Sequence, residues 1–376
     1  MKGTVTMMGK TDERLFELPD DGVFEHYFAA ANTSHGFKSY FGEIFSPLKF
    51  EHIYILKGGP GVGKSTLMKK VAVKAGELGL SPTLYHCSSD PYSLDGVVIE
   101  KLGTAILDGT SPHTVDPTAA GVRETIVNMG ECWDTGKLYE SGRRIIELIK
   151  EKSACYGAAY DYLGAEKQIR DSLWEQNKRT LLCDKLYADV RRVSDRIFKK
   201  RSDGKQFVRI TRAVSCAGEV RFTTFEQQCE VNYFLRDVRG TAFEYLSAIR
   251  KAAAEKGIDT LVSFDPADPA KADALCFPKL SVSFSLYNDD YCKSLEKLSK
   301  PYKVINMSRF SDPKAYALVR EKYRFGEKCA CEMRSAALDY LRRAGEIHAE
   351  TEKLYGKATD YHGVARLTEK VIAGIF

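Results

Sequence analysis

Long apolar runs are missing from this chain of 376 residues. No stretch approaches the roughly 18 apolar residues that a membrane-spanning helix needs. The polar start, MKGTVTMMGKTDERLFELPDDG, also lacks the apolar centre of a signal peptide. The sequence therefore predicts a soluble, cytoplasmic protein without a membrane partner.

Cysteine patterns that indicate zinc sites or disulfide frameworks are absent as well. The ten cysteines are scattered through the chain, and none forms a Cys-x-x-Cys pair. Cys329 and Cys331 have no matching second pair that would complete a zinc site. We expect buried or free reduced thiols.

The chain also lacks a large excess of positive or negative charge. The formal net charge is only +5, and we find no nucleic-acid recognition motif, which argues against a nucleic-acid partner. The composition, 44% hydrophobic and 28% charged, is ordinary for a globular protein, and the length favours two or three domains.

One glycine-rich stretch carries the strongest positive signal. Residues 52–79, HIYILKGGPGVGKSTLMKKVAVKAGELG, join an apolar strand to a helix through the pattern G-x-x-x-x-G-K-[ST], the signature of a phosphate-binding P-loop. Glycines let backbone N–H groups converge on a polyphosphate, and the helix N-terminus favours negative charge there. The predicted nucleotide-binding residues are Gly58, Gly59, Gly61, Val62, Gly63, Lys64, Ser65 and Thr66.

Catalysis at such a loop needs a cation on the phosphates and a held metal ion. Lys64 is predicted to reach the β- and γ-phosphates and Ser65 to ligate Mg²⁺. The strand in LGTAILDGTSPH (102–113) ends in Asp108, which we predict as the second metal ligand; an ordinary Asp-Gly turn is the alternative. No acidic residue follows Asp108 directly, so the adjacent glutamate base of many ATPases is missing.

Other carboxylates follow nearby strands. The strand in TLYHCSSDPYSLDG (83–96) ends at Asp90, on the side of the sheet where the P-loop lies. Asp90 is predicted to orient water or a substrate hydroxyl, or else to cap the turn before Pro91. His113 and Asp116 are further candidates, although a lone loop histidine is more often solvated.

A second stretch repeats the outline of the P-loop without its chemistry. The segment YFLRDVRGTAFEYL (233–246) aligns with the P-loop at an offset of 179 residues. Flanking segments align at nearly the same offset, for example SSDPYSLDGVVIEKLGTAI (88–106) with PADPAKADALCFPKLSVSF (266–284), which indicates a tandem duplication. This alignment places Asp237 at Gly58, Ala242 at Gly63, Phe243 at Lys64, Glu244 at Ser65 and Leu286 at Asp108.

The pattern predicts an α/β protein of two tandem P-loop NTPase-like domains. Each would be a doubly wound, mainly parallel sheet with an appended C-terminal helical region. Residues 1–200 carry the intact P-loop, 201–376 form a degenerate NTPase-like domain, and the polar segment 199–206 is the predicted linker.

The first copy also yields predictions for individual elements. Strands are expected at 83–88, 103–107 and 125–129. The helical region of about 137–199 contains Gly157 and Gly164, which would allow a helical hairpin.

The chain resembles a family of uncharacterised bacterial tandem P-loop ATPases. The motifs that carry the resemblance are FAAANTSHGF, ILKGGPGVGKSTLMKK, HCSSDPYSLDGVVI and AILDGTSPHTVDP. The resemblance covers nearly the whole chain, most specifically residues 25–135. It implies ATP as the nucleotide and an ATPase activity. Family members are expected to carry a nucleotide-binding loop in both halves, and this chain departs from that in its second half.

The leading hypothesis is Mg²⁺-dependent ATP hydrolysis at a single site in the N-terminal half. A small-molecule kinase with Asp90 beside its substrate is one alternative, and a non-catalytic nucleotide switch with a protein partner is another. Arg236 or Arg239, from the vestigial loop, could serve as an arginine finger or be ordinary solvated turn residues. The sequence does not determine the oligomeric state.

Overall fold

The computed structural model describes residues 5–7, 24–199, 203–237, 239–287 and 301–376. The polar start of the chain therefore lies almost wholly outside the described residues, as does the middle of the predicted linker. Within these described ranges, no helix has the length and apolarity required to cross a membrane.

Strands and helices are numbered here in chain order over the described residues. The helices are α1 (Phe41–Ile44), α2 (Lys64–Glu77), α3 (Thr135–Asn177), α4 (Cys183–Ile197), α5 (Thr224–Gln228), α6 (Ala242–Glu255), α7 (Pro313–Lys357) and α8 (Tyr361–Ile375). The strands are β1 (Val5–Met7), β2 (Glu25–Phe28), β3 (Ala30–Thr33), β4 (Gly36–Ser39), β5 (His52–Lys57), β6 (Thr83–His86), β7 (Leu94–Ile99), β8 (Thr104–Asp108), β9 (Glu124–Asn128), β10 (Gln206–Val208), β11 (Arg212–Ser215), β12 (Gly218–Phe222), β13 (Val231–Arg236), β14 (Thr260–Phe264), β15 (Ala272–Phe277), β16 (Val282–Tyr287) and β17 (Tyr302–Asn306).

A six-stranded sheet forms the centre of the N-terminal half, with the spatial order β2-β6-β7-β8-β5-β9. Strand β2 runs parallel to β6, and β5 runs parallel to β8 and β9. Strand β7 is antiparallel to both of its neighbours. The predicted mainly parallel α/β sheet is therefore confirmed, with one antiparallel strand that the sequence analysis missed.

The composition of β7 explains why it was missed. Its sequence, LDGVVI, contains Asp95 and Gly96 at its second and third positions, and these residue types usually mark turns. All six residues are nevertheless buried. A side chain at Gly96 would collide with the ring of Phe45, so the glycine serves close packing within a strand.

A second six-stranded sheet in the C-terminal half has the order β10-β14-β15-β16-β13-β17. Strand β15 is antiparallel to its neighbours, and the remaining pairs are parallel. Each strand occupies the position of its sequence counterpart in the first sheet. The two halves therefore share one topology.

The expected hairpin at Gly157 and Gly164 is wrong, because both glycines lie inside the continuous helix α3. The helical region breaks instead after Asn177, where a short 3-10 turn (Lys178–Thr180) precedes α4. A glycine inside a helix costs only about 1 kcal/mol relative to alanine. Packing of α3 along another helix readily offsets that cost.

That other helix is α7, which lies antiparallel to α3. Near the start of α3, Arg144 pairs with Glu350 close to the end of α7, at 3.0 Å. Near the end of α3, Arg170 pairs with Glu327 close to the start of α7, at 3.1 Å. The two longest helices, one from each half, thus join the halves along most of their lengths.

A buried ion network lies in this helix pair. Arg334 of α7 donates to the fully buried Glu166 of α3 at 2.6 Å, and also pairs with Glu219 of β12. Glu219 pairs in turn with Arg212 of β11 at 3.2 Å. Burial tends to raise the pKa of Glu219, but Arg334 and Arg212 lower it to about 2. Buried charges are tolerated when they are paired in this way.

Each sheet is covered by the last helix of the opposite half. Helix α8, at the end of the chain, packs Val364 and Val371 into the core around β5 and α2, which we call the first core. Helix α4 packs Leu186 and Val193 into the core around β13 and α6, the second core. The last helix of each predicted domain therefore belongs, by its packing, to the other sheet.

Replacing Val371 with Asp should destabilise the protein by about 3 kcal/mol or more, because it places an unpaired carboxylate in the first core. Ala373→Asp puts the same group on the exposed face of α8 and should change the unfolding free energy by about 0.5 kcal/mol or less. Denaturant titration measures both. Equal effects would contradict the packing of α8 on the first sheet.

Glu219→Gln should lower the unfolding free energy near pH 7 by about 3 kcal/mol, from the difference between a pKa of 4.5 and one of about 2. Because the folded pKa is depressed, this contribution is complete above pH 4.5 and is lost as the pH falls toward 2. The difference between wild type and variant should therefore shrink over that range in denaturant titrations. A Glu332→Gln variant, changed at an exposed pair, controls for general charge effects.

Candidate functional site

The P-loop connects β5 to α2 through residues 58–63. Gly61 and Gly63 have φ values of +72° and +96°, in the left-handed region that favours glycine. Between them, the Val62 side chain is completely buried in the first core and anchors the loop. The predicted order of strand, loop and helix is therefore present.

Lys64 lies over the loop from the first turn of α2. Its Nζ donates to the carbonyl oxygens of Gly58 at 2.6 Å and Gly59 at 2.9 Å. The same nitrogen is 3.6 Å from Oδ2 of Asp108 at the end of β8. Two predicted site residues that are 44 positions apart in sequence are therefore neighbours in the fold.

Ser65 faces the antiparallel strand β7. Its Oγ accepts a hydrogen bond from the backbone N–H of Leu94 at 3.0 Å. Thr66, the next residue of α2, is exposed. The contact fixes the serine hydroxyl at the start of the helix and brings the missed strand β7 to the loop.

Asp108 is held by its own turn. Its Oδ1 accepts hydrogen bonds from the backbone N–H and the hydroxyl of Thr110, at 2.9 and 2.5 Å. Burial raises the pKa of Asp108, the Lys64 cation lowers it, and nearby Asp95 raises it again. Asp108 thus forms the Asp-Gly turn that was the alternative interpretation, and it also lies close to Lys64.

Asp90 lies in the turn between β6 and β7. Its carboxylate accepts from the Tyr92 N–H at 3.2 Å and from the Ser93 hydroxyl at 3.1 Å, as a turn-capping residue does. Burial raises its pKa, and Asp95 raises it further. Both carboxylate oxygens are therefore engaged locally.

The sequence analysis gave no role to Asp95, which pairs with His113. The His113 Nε2 lies 3.1 Å from Oδ2 of Asp95, and both side chains are buried. The imidazole stacks on Phe41 with 4.1 Å between ring centroids, so His113 is a packed residue and not a solvated loop histidine. Asp116, by contrast, is exposed and pairs with Lys57 at 3.0 Å.

The end of α7 lies directly on the P-loop. A Cβ atom at Gly61 would be 2.9 Å from the backbone oxygen of Glu352, and one at Gly59 would be 2.8 Å from the ring of Tyr355. The hydroxyl of Tyr361, at the start of α8, donates to the Gly61 carbonyl oxygen at 3.4 Å. The second half therefore contributes directly to the surroundings of the first loop.

The Glu352 side chain belongs to a small charged cluster. Burial raises the pKa of Glu352, Asp90 raises it further, and the Gly61 N–H and Lys64 lower it. His348, one turn earlier, lies 3.6 Å from Glu352 and 3.3 Å from Nζ of Lys152. Burial and the two lysines Lys152 and Lys64 lower the pKa of His348 to about 4.

These residues of α7 could not have been found from a local motif. Glu352 and Gly61 are almost 300 positions apart in sequence, and no pattern near Glu352 marks a phosphate site. Asp95 did carry a signal: its repeat counterpart, Asp273, is also an aspartate. That equivalence indicates a position at which both halves keep a buried carboxylate.

The corresponding loop of the second half is one residue shorter than the P-loop. It connects β13, which ends at Arg236, to α6, which begins at Ala242. Buried residues of the two helices match at an offset of 178, so Leu67 corresponds to Tyr245 and Met68 to Leu246. The strands before the loops match at 179, so the difference of one residue lies within the loop.

The shorter loop corrects the predicted equivalences. By helix position, Lys64 corresponds to Ala242 and not to Phe243, while Ser65 corresponds to Phe243 and not to Glu244. The offset of 179 does not continue into the helix, because the second loop is one residue shorter than the P-loop while the buried positions of the two helices match at 178. The lysine is absent under either alignment.

A carboxylate accepts hydrogen bonds from the N–H groups of this second loop. Asp237 accepts hydrogen bonds from the backbone N–H groups of Arg239 at 2.9 Å and Ala242 at 2.6 Å, and from the Thr241 hydroxyl at 3.2 Å. These are groups that a phosphate would otherwise use. The loop therefore satisfies its donors with its own side chain.

The second loop opens onto a cavity of about 510 Å³. Cationic and acidic side chains alternate on its walls, including Lys271, which pairs with Asp268 at 2.9 Å. Arg239 also lines this cavity, and its guanidinium packs on the ring of Tyr316 at 3.6 Å. Arg236 ends β13 at the same loop. Arg239 therefore lies at the second loop, on the wall of its cavity.

Comparison with protein-family models, with curated proteins and with solved structures finds no match. The resemblance to tandem P-loop ATPases therefore stays a prediction from the sequence motifs. The site has to be interpreted from its own residues and geometry.

Asp237→Ala should lower the unfolding free energy by about 2 kcal/mol, because two backbone N–H groups and a hydroxyl lose their acceptor. Asp339→Ala, which removes a carboxylate from an exposed pair on α7, should change it by about 0.5 kcal/mol or less. Denaturant titration of the two variants measures the difference. Equal, small effects would contradict the assigned role of Asp237.

Proposed function

We propose that this chain is a Mg²⁺-dependent, ATP-binding P-loop NTPase that hydrolyses ATP at one site in its N-terminal half. The observation that supports the proposal best is the juxtaposition at the loop. Two glycines with left-handed backbone conformation shape it, and Lys64 lies over it beside the partly buried Asp108. A glycine turn that served only to connect β5 to α2 would not need this cation and carboxylate.

The proposed roles follow from the chemistry of these groups. The loop N–H groups and the start of α2 hold the phosphates, and Lys64 neutralises charge on them. Hydroxyl and carboxylate oxygens are ligands that Mg²⁺ accepts, which suits Ser65 and Asp108. When bound, the ion would neutralise charge that develops on the phosphates. The preference for ATP rests on the family resemblance.

The donor set around the proposed metal is small. Among the described residues, no group of three or more His, Cys, Asp or Glu side chains is arranged to hold a metal. Magnesium commonly binds through one or two protein ligands, with waters and substrate phosphates completing its octahedron. Ser65 and Asp108 therefore fit an ion that arrives with the nucleotide.

Tandem duplication, with one disarmed copy, is part of the same proposal. The common strand order of the two sheets and the matching helix positions support it. Asp237 in place of the first P-loop glycine, and the lost lysine, leave the second loop without a nucleotide site.

A nucleotide-dependent switch is a second candidate. It is favoured by the contact between the P-loop and the end of α7, since α7 extends back through the second half. ATP binding without turnover, together with a change in α7, would favour the switch over the ATPase.

Lys64→Ala should weaken Mg²⁺-ATP binding by about a hundredfold and abolish phosphate release, since charge-assisted contacts to phosphate each contribute roughly 1.5–3 kcal/mol. Lys70→Ala, on the exposed face of α2, should leave both unchanged. Isothermal titration calorimetry and a phosphate-release assay measure the two properties. Wild-type binding by Lys64→Ala would rule out the proposed site.

A further inference from the structure

The open side of the P-loop is covered by the second half of the chain. The backbone of Glu352 packs against Gly61 so closely that no side chain would fit there. Tyr355 covers Gly59 in the same way, and Tyr361 donates to the Gly61 carbonyl oxygen at 3.4 Å. The corner between α7 and α8 thus contacts Gly59 and Gly61 of a loop that, under the proposed function, must receive a triphosphate.

The charged end of Glu352 lies among groups that are suited to phosphate. The Gly61 N–H and the Lys64 cation lower the pKa of the Glu352 carboxyl, and the Cβ atom of Glu352 would lie 3.3 Å from a Cβ atom at Gly61. In a P-loop, the N–H groups and the lysine serve to hold phosphate oxygens. A carboxylate at this position competes with a phosphate because both are negatively charged and both use the same hydrogen-bond donors.

The geometry points to Glu352 as an internal anion of the P-loop, which Mg²⁺-ATP must displace by moving the corner between α7 and α8. This inference rests on the proposed function and adds a regulatory role for the second half. The first loop would bind phosphate only when the end of α7 moves away from it. The conformation of the second half would therefore set the affinity of the first loop for phosphate.

Comparison with the second loop shows why Glu352 is displaceable. Asp237 belongs to its own loop and accepts three hydrogen bonds there, at 2.6 to 3.2 Å. Glu352 comes from a separate helix, is half-exposed, and lies 3.6 Å from its histidine neighbour. One loop carries a built-in carboxylate, and the other meets a carboxylate that can leave.

The first test removes only the charge of Glu352. Glu352→Gln should bind Mg²⁺-ATP and inorganic pyrophosphate about tenfold more tightly than wild type in calorimetry, because a like charge near the phosphates is gone. Glu350→Gln, two residues away and paired with the exposed Arg144, should bind as wild type does. Thermal unfolding of each variant verifies that it is folded.

Unchanged or weaker binding by Glu352→Gln would overturn the inference. A Glu352→Gln protein that binds ATP as wild type does but no longer hydrolyses it would also overturn it, and would indicate a catalytic role for Glu352 instead.

The second test follows the movement directly. The chain has two tryptophans, and Trp133 packs against Tyr355 with 5.5 Å between ring centroids. In a Trp174→Phe background, Trp133 is the sole reporter of the corner between α7 and α8. Saturating Mg²⁺-ATP should shift its emission, whereas Lys64→Ala in the same background should abolish the shift. Saturation without any shift would overturn the displacement.

The two proposals fail in distinguishable ways. If wild type binds Mg²⁺-ATP and Glu352→Gln does not change the affinity, the internal anion fails and the nucleotide site stands. If wild type binds weakly and Glu352→Gln binds tightly, both stand. If neither protein binds ATP or pyrophosphate, both fail.

Discussion

The pairing of α3 with α7 is the constraint on which the rest of the structure depends. Each helix comes from a different half, and the pair Arg334–Glu166 between them is buried and must remain paired. Arg334 joins Glu166 of α3 to Glu219 of β12, so the network connects the helices to the sheet region as well. Removing one partner would leave an uncompensated buried charge, which typically costs several kcal/mol. The two halves therefore have one relative register, set by the helix pair.

That register explains the exchange of terminal helices and the contact at the P-loop. Because α3 and α7 run antiparallel, the end of each helix reaches the sheet of the other half. The next helix then continues onto that sheet: α4 covers the second core and α8 the first. The last two turns of α7, with Glu352 and Tyr355, consequently lie on the loop around Gly61. The second half therefore contributes to the first core and to the surroundings of the first loop.

The second loop shows how a loop between a strand and a helix satisfies its N–H groups from within the chain. Loop N–H groups need acceptors whether or not an anion binds. Asp237 supplies an acceptor from within the chain. The loop is one residue shorter than the P-loop, and the buried face of α6 matches that of α2.

The sequence by itself determined the local features: the strand, loop and helix of the P-loop, the strand that ends at Asp108, and the repeated order of elements. These follow from glycine conformation and hydrophobic periodicity, which act over a few residues. It did not reveal the antiparallel strand β7, because Asp95 and Gly96 resemble turn residues, nor the unbroken helix α3, because long-range packing outweighs two glycines. Only the tertiary structure decided which half covers which core, that the second loop is one residue shorter than the first, and that Glu352 contacts Gly61. Those contacts join residues far apart in the chain, and their energies come from burial and charge pairing that no local pattern contains.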